Sequence, residues 1–227
     1  MASKAEVARV RQALAGLSES ARQSFLQVWA SLDLNDWSEL RRVLEEFWPE
    51  LVGHFGEMAA VLASDQFLLE AAELGISGDP RMVRGVDPGR ANARMRWALG
   101  TPSLLGSLLT LLDELVKQPY RSTLQGSAER AGVGWARVPS GSEPCAWCLM
   151  LASRGGVYES RASASVRQDG RKYHGDCYCV PVLTKSDGDL PYDAGRLSTL
   201  YERARNAAGS GSTKDILAEL RAQQGIH

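Results

Sequence analysis

The chain has four cysteines, Cys145, Cys148, Cys177 and Cys179, and together with His174 they follow the spacing C-x2-C-x25-H-x2-C-x-C. Two cysteines separated by two residues turn both sulfurs inward at a tight turn, and a second His/Cys knuckle completes the tetrahedron that zinc prefers. Five candidate donors face a four-coordinate metal, so one of His174, Cys177 and Cys179 is spare or stands behind the ligands. The favoured set is Cys145, Cys148 and His174 with one or both of the last two cysteines. Two disulfides, for instance Cys145–Cys177 and Cys148–Cys179, also satisfy the count if the protein matures in an oxidising compartment.

Several enzymes use parts of this pattern, and each is missing something here. Pro144-Cys145-Ala146-Trp147-Cys148 matches half of the zinc deaminase signature, but no H-x-E accompanies it. His54 is followed by Phe55-Gly56, and His174 by Gly175-Asp176. A Cys–His hydrolase needs one thiol rather than four. Thioredoxin-like chemistry needs a βαβ context that the flanking sequence lacks. A metal-dependent hydrolase or nuclease is the remaining enzymatic alternative, with Glu143 and Asp176 as the nearby carboxylates to test as bases. Full thiolate coordination closes a site, whereas catalysis needs an open position. The expectation is therefore a structural metal and no enzymatic activity.

The elements that position these residues are read as mainly α, with a small α+β Cys/His module near the C-terminus. Apolar residues at helical spacing predict helices over 4–17 and from Ser18, then from Trp37 to Pro49, where proline should start a new helix or kink this one. Turn residues crowd 75–89, which reads as an exposed connection. Helix resumes at Arg90, where Arg90, Arg94 and Arg96 read as a solvated basic face. A leucine-rich helix from Leu104 should end at Pro119, with another over 120–131. Val180-Pro181-Val182-Leu183 reads as a short edge strand. Two tail helices flank Gly209-Ser210-Gly211, the second capped by Ser212 or Thr213. The expected units are a helical domain over 1–125, the Cys/His module over 126–184 and a helical tail over 185–227.

Charge narrows the partners. With 26 Lys+Arg against 27 Asp+Glu the net charge is -1, so no global basic field holds the protein on nucleic acid or a membrane. Between the knuckles, Arg154, Arg161, Arg167, Arg171 and Lys172 make a locally basic loop, which leaves a nucleic-acid adaptor as a further alternative. No apolar run approaches the roughly 20 residues of a membrane-spanning helix. The polar N-terminus has no signal-peptide pattern, which points to synthesis in the cytoplasm.

The run Trp135-Ala136-Arg137-Val138-Pro139-Ser140-Gly141, then Cys145-Ala146-Trp147-Cys148-Leu149-Met150-Leu151-Ala152-Ser153-Arg154-Gly155 and Tyr158, resembles the MuF-like minor capsid proteins of tailed phages infecting actinobacteria. Tyr173-His174-Gly175-Asp176-Cys177-Tyr178-Cys179 and Ile216-Leu217-Ala218-Glu219-Leu220-Arg221 are similar to the same group. The resemblance is specific over about 134–180 and general in the N-terminal helices. It implies a virion protein of the phage head, present in few copies and synthesised in the host cytoplasm. Its implied partners are the portal and the major capsid protein, with packaged DNA as a further contact.

Overall fold

The computed structural model describes residues 2–139, 144–156 and 179–226. Its described residues are mainly helical: α1 (Lys4–Ala30), α2 (Trp37–Leu74), α3 (Pro88–Leu99), α4 (Leu104–Ala131), α5 (Ala146–Ala152), α6 (Ala194–Ala208) and α7 (Thr213–Gln224). One two-stranded antiparallel sheet joins them, β1 (Gly134–Val138) with β2 (Val180–Thr184), in a register running from Gly134↔Thr184 to Val138↔Val180. Among the described residues no helix is long and apolar enough to cross a membrane.

Where the sequence suggested two helices before residue 32, α1 is continuous. Its start is fixed by a capping box, with the Ser3 hydroxyl accepting from the Glu6 N–H and the Ser3 N–H donating to Glu6. Val7, Leu14, Ala21 and Phe25 form its buried face, and neither Gly16 nor Ser18 prevents helical backbone angles between them.

Two prolines where the sequence suggested a helix boundary or a kink lie inside continuous helices. Pro49 sits within α2 and Pro119 within α4. A proline at position 49 leaves the carbonyl of Glu45 without its helical donor. The side-chain amide of Asn92, on α3, donates to that carbonyl at 3.0 Å and replaces the lost bond. Pro119 is accommodated by a glycine on the opposing helix. A Cβ on Gly56 would lie 3.0 Å from Pro119 Cγ, so α2 and α4 can approach closely there only because Gly56 has no side chain.

The leucine-rich helix is central. Leu108, Leu112, Leu115 and Val116 of α4 pack with Phe25, Trp48 and Met95 in one core cluster. Lower down, Tyr120, Leu124 and Ala128 join Phe67 of α2 and Trp135, Val180 and Val182 of the sheet in a second. Residues 75–87 cross α4 as an irregular strap. The N–H groups of Arg81 and Val83 donate to the buried hydroxyls of Ser127 (2.7 Å) and Thr123 (2.8 Å), which satisfies backbone groups that no ladder reaches. α4 also passes without interruption from the helical core to the sheet, so residues 125 and 126 share one rigid element.

The basic face of α3 is largely tied down within the protein. Arg94 makes a two-pronged pair with Glu114 (2.8 and 2.6 Å), and Arg96 reaches Glu45 at 3.1 Å. The tail helices form as the sequence suggested. Ile216, Leu217 and Leu220 of α7 pack with Ala204 of α6 and with Ala146, Met150 and Leu151 of α5, which fixes the Cys-bearing helix to the tail.

Candidate cysteine cluster and the sheet edge

Three of the five candidate metal ligands lie in the described residues, and the fold brings them together. Cys145 is the N-cap of α5, Cys148 sits in its first turn, and Cys179 immediately precedes β2. Cys148 and Cys179 are buried against each other, with Cys145 packed alongside. Cys145 Sγ accepts from the Cys148 N–H at 3.3 Å and lies 3.0 Å from Cys148 Sγ. That separation is well beyond an S–S bond of about 2.05 Å. It is also closer than the roughly 3.8 Å between two thiolates on a tetrahedral zinc, so the two side chains must spread by under about 1 Å to admit a metal. Among the described residues no three His, Cys, Asp or Glu side chains already stand in metal-holding geometry. His174 and Cys177 lie outside the described residues, as do Glu143, Asp176 and the basic positions 161, 167, 171 and 172.

The surroundings of Cys179 carry charge that sequence reading missed. Arg11, Lys117 and Arg121 line a small recess together with Cys179 and Val180. Lys117 and Arg121 are 4% and 3% exposed, and Lys117 pairs with Asp113. Cationic side chains therefore surround the Cys179 thiol on this side. The available signal was the i, i+4 spacing of Lys117 and Arg121 on the same face as Val116, Tyr120 and Leu124. The expected break at Pro119 hid it.

α5 is held from its other end too. Gly155 turns the chain at φ +65°, and a Cβ there would collide with the Asp187 carboxylate, which accepts from the Gly156 N–H at 2.7 Å. Tyr192 adds a hydrogen bond from its hydroxyl to the Ala152 carbonyl at 3.0 Å. His54 is exposed on α2 in edge contact with Phe55.

A second polar cluster was not foreseen. β2 presents the Pro181 carbonyl and the Leu183 N–H away from β1, where a two-stranded sheet offers them no partner strand. α2 supplies one from side chains. Gln66 donates to the Pro181 carbonyl at 3.0 Å and to Glu70 at 2.7 Å, while Glu70 accepts from the Leu183 N–H at 2.7 Å. The Tyr120 hydroxyl donates to Gln66 and completes the network. Its sequence signature is a polar i, i+4 pair, Gln66 and Glu70, enclosing Phe67-Leu68-Leu69.

Burial pushes the Glu70 carboxyl up to about 7, overcoming the hydrogen bonds from Leu183 and Gln66 that favour its ionised form; the charges of Glu6 and Glu73 act in the same direction as burial. A carboxyl whose folded pKa lies above its unfolded one binds more protons in the folded state between the two values. Its contribution is therefore complete below about 4.5 and is lost as pH rises through about 7. The loss is on the order of 3 kcal/mol. Urea midpoints are expected to fall from pH 5 to about pH 7 and to level off by pH 8, and the Glu70→Gln variant to show a much flatter profile.

The chain is 27% identical to the Gene 15 protein of Mycobacterium phage L5, over 89% of this chain and 82% of that protein. It is 31% identical to the Gene 15 protein of Mycobacterium phage D29, over 69% of this chain and 60% of that protein. No solved structure matches it. The family model described as VG15 protein matches residues 1–204, which takes in the four-helix core, both strands and most of α6, and the chain therefore belongs to this family of phage proteins.

Proposed function

We propose that the protein is a non-enzymatic minor capsid protein of a tailed phage, of the MuF-like kind, located in the virion head. In this reading it contacts the portal and the inner capsid face during head assembly. Cys145, Cys148 and Cys179 hold a structural zinc with a further ligand from His174 and Cys177. The observation that carries the reading is where residues 134–180 fall in the fold. The stretch that resembles the MuF-like proteins is bounded by β1 and β2, and its three described cysteines converge beside β2. Membership of a phage protein family supports the same context. Zinc would supply a rigid, redox-inert crosslink, and the residues around it do the rest: α5 presents two sulfurs from one turn, and Arg11, Lys117 and Arg121 balance their charge.

Quantitative mass spectrometry of purified virions, separated into heads and tails, tests the location. The protein is expected in the head fraction at a few copies relative to the major capsid protein. Recovery only from infected-cell lysate, with none in heads, overturns the proposal.

A further inference from the structure

The outer face of α2 is apolar where a monomer would not need it to be. Met58, Val61, Leu68 and Leu69 are 45%, 46%, 48% and 69% exposed. At about 100° per residue they share an arc of about 100° around the exposed Asp65, with Glu57 and Glu73 flanking it on either side. The same face continues into a groove of about 250 Å³ against α1, walled by Val10, Leu62 and Leu69, where Glu6, Asp65 and Glu73 outnumber the one cation, Arg9. A contiguous exposed apolar surface with polar edges marks an interaction site. Its spacing, i, i+3, i+7, i+10 from Met58 to Leu68 with Asp65 at the third position, is that of a helix seam.

The charges decide what can cover it. If a second copy packed antiparallel on the same face about Asp65, the sum of paired positions would be constant, setting Asp65 against Asp65 and Glu57 against Glu73. Every acidic position would meet an acid, and like charges set opposite each other are destabilising. A helix with basic residues at those positions meets the face with complementary charge and fills the seam with its own apolar stripe. We infer that this face of α2, with its groove against α1, is a docking site for an amphipathic helix of another protein, apolar along one stripe and basic at its centre and edges. The site is independent of the cysteine cluster and of the proposed zinc.

Two synthetic 18-residue helical peptides with the same leucine stripe test it, one carrying lysines at the centre and edges and the other glutamates. Fluorescence anisotropy with the full chain is expected to show the lysine peptide binding at least about tenfold more tightly, a difference of about 1.4 kcal/mol. Leu68→Glu is expected to abolish that binding while leaving the melting curve in place, because Leu68 faces solvent. Asp65→Lys is expected to reverse the preference between the peptides. Equal binding of both peptides overturns the inference. So does sedimentation velocity that shows self-association of the chain lost in Leu68→Glu, because the face then belongs to a second copy.

Discussion

Protein purified from zinc-containing medium is expected to carry about one zinc per chain, and Cys148→Ser or Cys179→Ser to lose it together with on the order of 10 °C of melting temperature. Elemental analysis and thiol counting before and after chelation check the first part; a thermal melt checks the second. The magnitude follows from position. Both cysteines are buried beside the start of β2, so a serine there would remove a proposed ligand and leave a hydroxyl where a thiol was packed. The loss should be local. α1 to α4 have their own core around Phe25, Trp48, Leu108 and Leu112, so helical circular dichroism from these elements is expected to survive chelation while the region of α5 opens. Less than about half an equivalent of metal with no titratable thiols would replace the zinc by disulfides.

The largest single effect in the helical core is expected at Trp48. It is fully buried, its ring stands edge-on to Phe25 at 5.5 Å, and it lies one residue before the proline inside α2. Trp48→Ala should cost about 3–5 kcal/mol through lost burial and the cavity left behind. Trp48→Phe should cost far less, because it retains the aromatic contact and removes an indole N–H that finds no acceptor among the described residues. Urea unfolding of the two variants measures the difference. Similar losses in both would mean that the indole N–H, and not the volume, carries the stability.

The clustering of the cysteines was legible because they fall so close together in the sequence. Cys145 and Cys148 do occupy one helix start and Cys179 does join them. The helices were legible in number and place more than in extent. Pro49 and Pro119 announce breaks under local rules, and both rules yield to partners far along the chain. The carbonyl freed by Pro49 is satisfied by Asn92, which no window around Pro49 contains. Pro119 depends on the missing side chain of Gly56. β1 was unreadable for a similar reason. Arg137, its fourth residue, lies buried and interrupts the apolar run, and the strand's pairing partner lies beyond residue 179. Gln66 and Glu70 look like an ordinary polar pair until the bare edge of β2 is placed beside them. Each of these features is decided by a tertiary contact, which local periodicity does not encode.

The ladder between β1 and β2 has one more consequence. It brings Val138 and Val180 side by side, so the chain that leaves the sheet after β1 re-enters it at β2 beside the point where it left. Lengthening a chain between fixed ends is entropically cheap, about 0.6 kcal/mol for each doubling. The alignment with the L5 protein extends over 252 positions, more than the 227 residues of this chain, so length variation within the family must be absorbed somewhere. An antiparallel pair closed at one end holds its register whatever the length of the chain between its strands, so an insertion there costs little beyond that entropy.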